Sequence, residues 1–150
     1  MILNSKDKLL EVIDHIMTDM FFIFPDMDEE GNQITEGEAS EDSIWVSIHF
    51  NTNYYIVFKM DRALLMEMAS NFMGLMPDVI EEEHLESMAT ETANIIGGNY
   101  LVKIDPEREY KLSIPRILDD HLDESDSPWK ISFVADGNTM TILPIKRKVS

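Results

Sequence analysis

The sequence predicts an α+β fold, a mainly antiparallel β-sheet with helices packed on it. Two candidate hairpins support this, one interrupted by Asn51-Thr52-Asn53 and one turning at Asp136-Gly137-Asn138. The third observation is a strand that follows a long helix, a layout that differs from a doubly wound parallel sheet.

Taken in order, the elements justify themselves by period and punctuation. From Asn4 to about Met20, residues Leu9, Leu10, Val12, Ile13, Ile16, Met17 and Met20 keep a helical period, with Asn4 or Ser5 available as cap. Residues 26 to 42 are acidic, contain Gly31 and Gly37 and include one aliphatic side chain, Ile34, so they read as an exposed loop. Ile44, Val46, Ile48 and Phe50 then alternate with Trp45, Ser47 and His49, and β-formers resume from Tyr54 to Lys59. Asp61 suits the N-cap of a helix carrying Leu64, Leu65, Met68 and Phe72 on one side and stopping at Gly74. The longest helix is expected to open at Pro77-Asp78, to hold Glu81, Glu82 and Glu83 where the helix dipole favours acids, and to run to about Lys103. Tyr110, Leu112 and Ile114 mark a strand that ends at Pro115, and Trp129, Ile131 and Phe133 mark the next. In the last strand, Pro144 implies an edge or a bulge.

Composition narrows the function. The 150 residues, 44% of them hydrophobic, fit one domain with a real core, spanning 1–150. The absence of cysteine excludes disulfide scaffolds, thiolate metal sites and cysteine nucleophiles. No apolar run approaches the roughly 20 residues of a membrane span, so a soluble, cytoplasmic protein without membrane insertion is expected. The formal net charge of -17 disfavours nucleic acid as a partner. The one dense basic run, Lys146-Arg147-Lys148, reads as a solvated tail. No G-x-G-x-x-G or P-loop occurs, and Gly97-Gly98 falls late in a helix rather than between strand and helix.

The long helix is the informative element. At about 100° per residue, Leu85, Ala89, Thr92, Ala93 and Ile96 project to one side, while Ser87, Glu91, Asn94 and Gly98 form a narrow stripe on the other. A surface helix needs a polar face in any case, and Glu29 with Asn32 repeats the E-x-x-N spacing inside the acidic loop. The two glycines fit less easily, since each costs roughly 1 kcal/mol against alanine in a helix interior. Gly98 would leave the surface beside Asn94 open to something large; Gly97 could allow close packing on the sheet, or the pair could mark a kink.

Ser87, Glu91 and Asn94, continuing through Gly97-Gly98-Asn99 and followed by Ser113-Ile114-Pro115, resemble the signature of the CheX, CheC and FliY phosphatase family of bacterial chemotaxis. The order of elements fits across most of the chain. A single copy of the signature resembles CheX rather than the two-site CheC, because Glu67, Ser70 and Asn71 do not make a second E-x-x-N. Pro115 follows the motif slightly sooner than in the family, which implies a shorter connection.

The resemblance implies a phosphatase whose substrate is the aspartyl phosphate of a CheY-type response regulator. Asn94 would enter the receiver's active site and orient a water in line with phosphorus, and Glu91 would pair with the receiver's lysine. An amide suits this because it both donates and accepts. Ser87 and Gly98 would lie at the contact with the partner. The chain would need no cofactor or metal of its own, Mg²⁺ being supplied by the receiver. The family also implies a homodimer.

Other constellations read as background. Glu81 and His84 could touch a metal but lack a third ligand. Asp119, Asp120, Asp123, Glu124 and Asp126 lack the spacing of a calcium loop. His15, His49 and His121 lie on separate elements, and the 11 methionines fit flexible core filling. Two further functions stand beside the phosphatase: a non-catalytic module that docks a receiver or a flagellar-switch component, and a structural subunit pairing through an open strand edge.

Overall fold

A computed structural model describes residues 6–21, 42–50, 54–104, 107, 112–118, 129–135 and 137–146. Helix α1 (Lys6–Asp19) turns the periodic residues Leu9, Val12, Ile13, Ile16 and Met17 into the core. Its expected caps, and the acidic segment 26 to 42 apart from Asp42, lie outside the described residues. Strands β1 (Ser43–His49) and β2 (Tyr54–Asp61) pair antiparallel as the first hairpin. Helix α2 (Arg62–Met73), a 3₁₀ turn (Pro77–Val79), helix α3 (Glu82–Ile104) and strands β3 (Arg116–Leu118), β4 (Ile131–Ala135) and β5 (Asn138–Lys146) complete the α+β fold.

All strand pairs are antiparallel, in the order β3-β1-β2-β5-β4. Alternation divides the sheet. Ile44, Val46, Ile48 and Phe50 join Ile56, Phe58, Met60, Met140 and Ile142 in the core shared with the helices. On the other face Trp45, Val57, Leu143 and Ile145 form a smaller buried cluster, with the Lys59 ammonium 4.5 Å from the centre of the Trp45 ring. The Ser132 and Thr141 hydroxyls, both buried, satisfy each other at 2.9 Å.

Several expectations are corrected by longer-range contacts. Asp61 precedes α2 but makes no side-chain cap. Its buried carboxylate instead accepts from the Thr139 backbone N–H at 2.7 Å and from the Ser43 hydroxyl at 3.2 Å, tying β2 to β5 and β1. Phe72 is 45% exposed rather than inward, its ring edge-on to Phe21. Pro77-Asp78 belongs to the separate 3₁₀ turn, so α3 starts later than expected. Gly74 does end α2, in a left-handed conformation at φ 70° that glycine adopts without strain.

Of the strand expected to end at Pro115, Tyr110 lies outside the described residues; among the described ones Leu112 makes an isolated bridge to Phe50, and β3 begins after the proline, with Arg116 opposite Ser47. Three steps along β1 therefore oppose four along the other chain, and the extra residue falls at Ile114-Pro115, where proline has no N–H to give the ladder. Pro144 lies on β5 opposite Ile56, past the point where β4 stops at Ile131 and Ile142. The strand is internal, yet locally it has an edge there, and the missing N–H breaks no bond to β4.

Candidate functional site

The site is built on α3, and α3 is fixed at both ends. At its start the Glu81 backbone N–H donates to His84 Nδ1 at 2.9 Å, and the His84 N–H donates to the Glu81 carbonyl at 2.9 Å. This resembles a capping box with imidazole in the place of glutamate. It also gives the Glu81/His84 pair a helix-starting role in place of metal ligation. Arg62 joins α2 to this end through ion pairs with Glu82 and with Asp42. At the other end Lys103 bonds Glu11 of α1 at 3.3 Å, and Lys8 donates to the Lys103 carbonyl.

Between these ends the helix runs unbroken through Gly97 and Gly98. Leu85, Met88, Ala89, Thr92, Ala93, Ile96, Gly97 and Tyr100 are buried. The one hydroxyl among the aliphatic side chains there, Thr92, donates to the Met88 carbonyl at 2.6 Å. The glycines divide their work. A Cβ on Gly97 would stand 3.4 Å from Ile48 Cδ1 and 3.5 Å from Leu112 Cδ2, so the helix backbone rests on β1 and the approach to β3. A Cβ on Gly98 would meet no atom within 4 Å.

Ser87, Glu91 and Asn94 are all exposed, on the side of α3 away from the sheet. Their side chains form no hydrogen bond or ion pair with another described residue, so Ser87 does not hold Glu91. Glu91 and Asn94 stand about 4.5 Å apart along the axis and about 60° apart around it. The neighbouring amide is committed elsewhere, as Asn99 donates to the Ile95 carbonyl of its own helix at 2.8 Å. Ser113 is likewise held by the sheet, for its N–H donates to the His49 carbonyl at 2.8 Å and its hydroxyl accepts from the His49 N–H at 2.9 Å. The result is a rigid rod that offers one carboxylate and one amide beside a gap.

The competing signals separate in space. In α2, Asn71 donates to the Phe21 carbonyl and Ser70 to the Leu75 carbonyl, both structural contacts. His15 pairs with Asp19 and His49 stacks on Tyr55. His121 and the acidic cluster from Asp119 to Asp126 lie outside the described residues. Among the described residues no three His, Asp or Glu side chains converge into a possible metal site, and no helix is long and apolar enough to cross a membrane. The sequence reading missed two exposed apolar side chains, Val102 on α3 and Ile114 before β3, because apolarity at these spacings reads as core.

A family model described as chemotaxis phosphatase CheX matches residues 44–132, from β1 through α3 to β4. The chain belongs to the CheX family. Solved CheX-family folds agree over nearly its whole length. Chemotaxis protein CheX from Vibrio vulnificus superposes with a TM-score of 0.67 at 14% identity, covering 93% of this chain and 97% of that one. CheX in a CheX-CheY-BeF3-Mg²⁺ complex from Borrelia burgdorferi gives 0.65 at 18% identity, covering 97% and 99%. FliY from Thermotoga maritima gives 0.58 at 13%, covering 95% and 89%. No curated protein matches the chain in sequence. At such identities the shared CheX fold is what the superpositions establish, and the roles of individual side chains rest on their chemistry here.

Because neither glycine's Cβ position is blocked, alanine should improve the CheX-family helix itself. Gly98→Ala is expected to raise unfolding free energy by about 1 kcal/mol, read as a higher urea midpoint at unchanged slope. A fall in the midpoint would mean that the backbone at Gly98 needs glycine for a reason internal to the fold. Gly98→Trp should also fold, while filling the gap beside Asn94.

Proposed function

We propose that this chain hydrolyses the aspartyl phosphate of a CheY-type response regulator in the cytoplasm, with residues 1–150 acting as one CheX-like domain. The observation that carries the reading is an exposed carboxylate and amide one turn apart on a fixed helix, neither bonded to another described residue, next to a residue with no side chain. Asn94 holds a water in line with the phosphorus. Its amide can accept from the water while donating to a phosphoryl oxygen. The water's oxygen bonds to phosphorus as the bond to the receiver's aspartate oxygen breaks, giving inorganic phosphate and a free carboxylate. Mg²⁺ held by the receiver offsets the charge on the phosphoryl group. Glu91 pairs with the receiver's lysine and so fixes the docking angle, while Ser87 and Gly98 border the contact. Catalysis of this kind is positioning, and it favours a helix over a loop.

The test is phosphate release from a phosphorylated receiver of the same organism with Mg²⁺, with and without the chain. Acceleration by the native chain supports the reading. Binding without acceleration by any receiver tried would leave a non-catalytic docking or flagellar-switch module.

Charge makes a second prediction. Glu83, Glu86 and Glu91 are exposed on α3, whereas Lys103 is drawn to Glu11, and Arg116, in register with Ser47, stands on the sheet face away from the helices. With a chain at -17 and an acidic receiver, long-range forces repel, so stopped-flow association should quicken as salt rises from about 0.05 to 0.5 M. A rate that falls with salt would place basic contacts in the interface.

The family also carries a homodimer into this proposal. Size exclusion with light scattering should give the mass of two chains, and a strict monomer at every concentration would remove that part.

A further inference from the structure

We propose that Val102 and Ile114 are apolar anchors of the same docking face, gripping the receiver. The proposal rests on the reading of Glu91 and Asn94 given above. Val102 is 64% exposed on the last full turn of α3. Eleven residues beyond Glu91 and four beyond Gly98, it lies about 20° and 40° from them around the helix, so it extends the stripe.

Ile114 is 83% exposed and comes from a different element, the extra residue between Leu112 and β3. Leu112 reaches to 3.5 Å from the position a Gly97 Cβ would take. Ile114 follows two residues later, within about 7 Å of chain from Leu112. Ile117, in register with the helix-facing Val46 and 38% exposed, continues apolar surface along that flank.

Single exposed aliphatics are ordinary on a protein surface. Two of them on separate elements, one continuing the stripe of α3 and one on the chain that leaves Leu112 against Gly97, form a patterned surface. Electrostatics explains why such a surface would be needed. The charges on this face are carboxylates, and the target is a phosphoryl group in an acidic pocket, so attraction between net charges cannot hold the complex. Apolar burial at the rim of the Glu91–Asn94 contact can, and it is insensitive to the sign of either partner's charge.

The experiment compares Val102→Thr, Ile114→Ser and Ile114→Leu with the native chain on one receiver. KM and kcat are read from phosphate release, and Kd from titration of the receiver carrying beryllofluoride and Mg²⁺. Threonine keeps the β-branched shape of valine, and leucine keeps the apolar volume of isoleucine, so loss of fold is separated from loss of grip. Val102→Thr and Ile114→Ser are each expected to raise KM and Kd about tenfold with kcat held, and Ile114→Leu to stay near native. Unchanged Kd in both polar variants, while Asn94→Ala still stops turnover, would overturn the anchors and leave the phosphatase reading standing. A native chain that neither binds nor dephosphorylates any receiver would overturn both.

Discussion

Asn94→Ala is expected to lower the turnover of a phosphorylated receiver by about 10²-fold or more while its Kd changes by no more than a few-fold. The expectation follows from where the amide is and what it touches. Asn94 is exposed and makes no bond to another described residue, so its truncation leaves α3 and the core intact. What is lost is contact with a water that is held only as the phosphorus is attacked, which lowers kcat rather than raising KM. Asn94→Asp should not restore the rate: it has the shape but no N–H to donate, and it adds a negative charge beside the phosphoryl oxygens. Glu91→Gln should instead change both parameters, since loss of the charge pairing with lysine loosens the docking and misaligns the water. Single-turnover phosphate release with Mg²⁺ checks all three. A native rate in Asn94→Ala would mean that the receiver positions the water unaided, and Asn94 would then be ordinary helix surface.

How far such a site can be read without coordinates depends on the range of the forces that make it. The stripe on α3 was legible because helical geometry is local: residues 87, 91, 94 and 98 share a side wherever the helix lies. The division of labour between Gly97 and Gly98 was half legible, since angle separates them but only the position of Ile48 and Leu112 shows that one faces packed side chains and the other open space. The antiparallel sheet followed from two hairpins whose turns are short-range signals. Errors arose where distant groups competed with local rules. Asp61 looked like the cap of α2 and proved to accept from Thr139, 78 residues away. The strand near Pro115 was displaced because register there depends on β1, more than 60 residues earlier. Val102 and Ile114 escaped notice because sequence records apolarity and not exposure.

Asp61 is the sharpest such conflict, and it yields the largest stability change expected in the fold. If Asp61 were an N-cap, Asp61→Ala would cost about 1 kcal/mol and Asp61→Asn almost nothing. The carboxylate is instead buried, with Thr139 N–H at 2.7 Å and the Ser43 hydroxyl at 3.2 Å as donors 78 and 18 residues away. Alanine would leave the Thr139 N–H without its acceptor inside the sheet, so a loss of about 3 kcal/mol is expected. Asparagine keeps one carbonyl oxygen for Thr139 but presents an amide NH₂, a donor, where the second acceptor stood for the Ser43 hydroxyl, and should lose about 1 kcal/mol. Urea unfolding at constant slope distinguishes the two cases, and a loss near 1 kcal/mol for alanine would return Asp61 to a capping role. Turnover per folded molecule should remain native in both variants. Asp61 joins the end of β2 to the starts of β1 and β5, so it supports the sheet under α3 without touching the stripe that α3 presents.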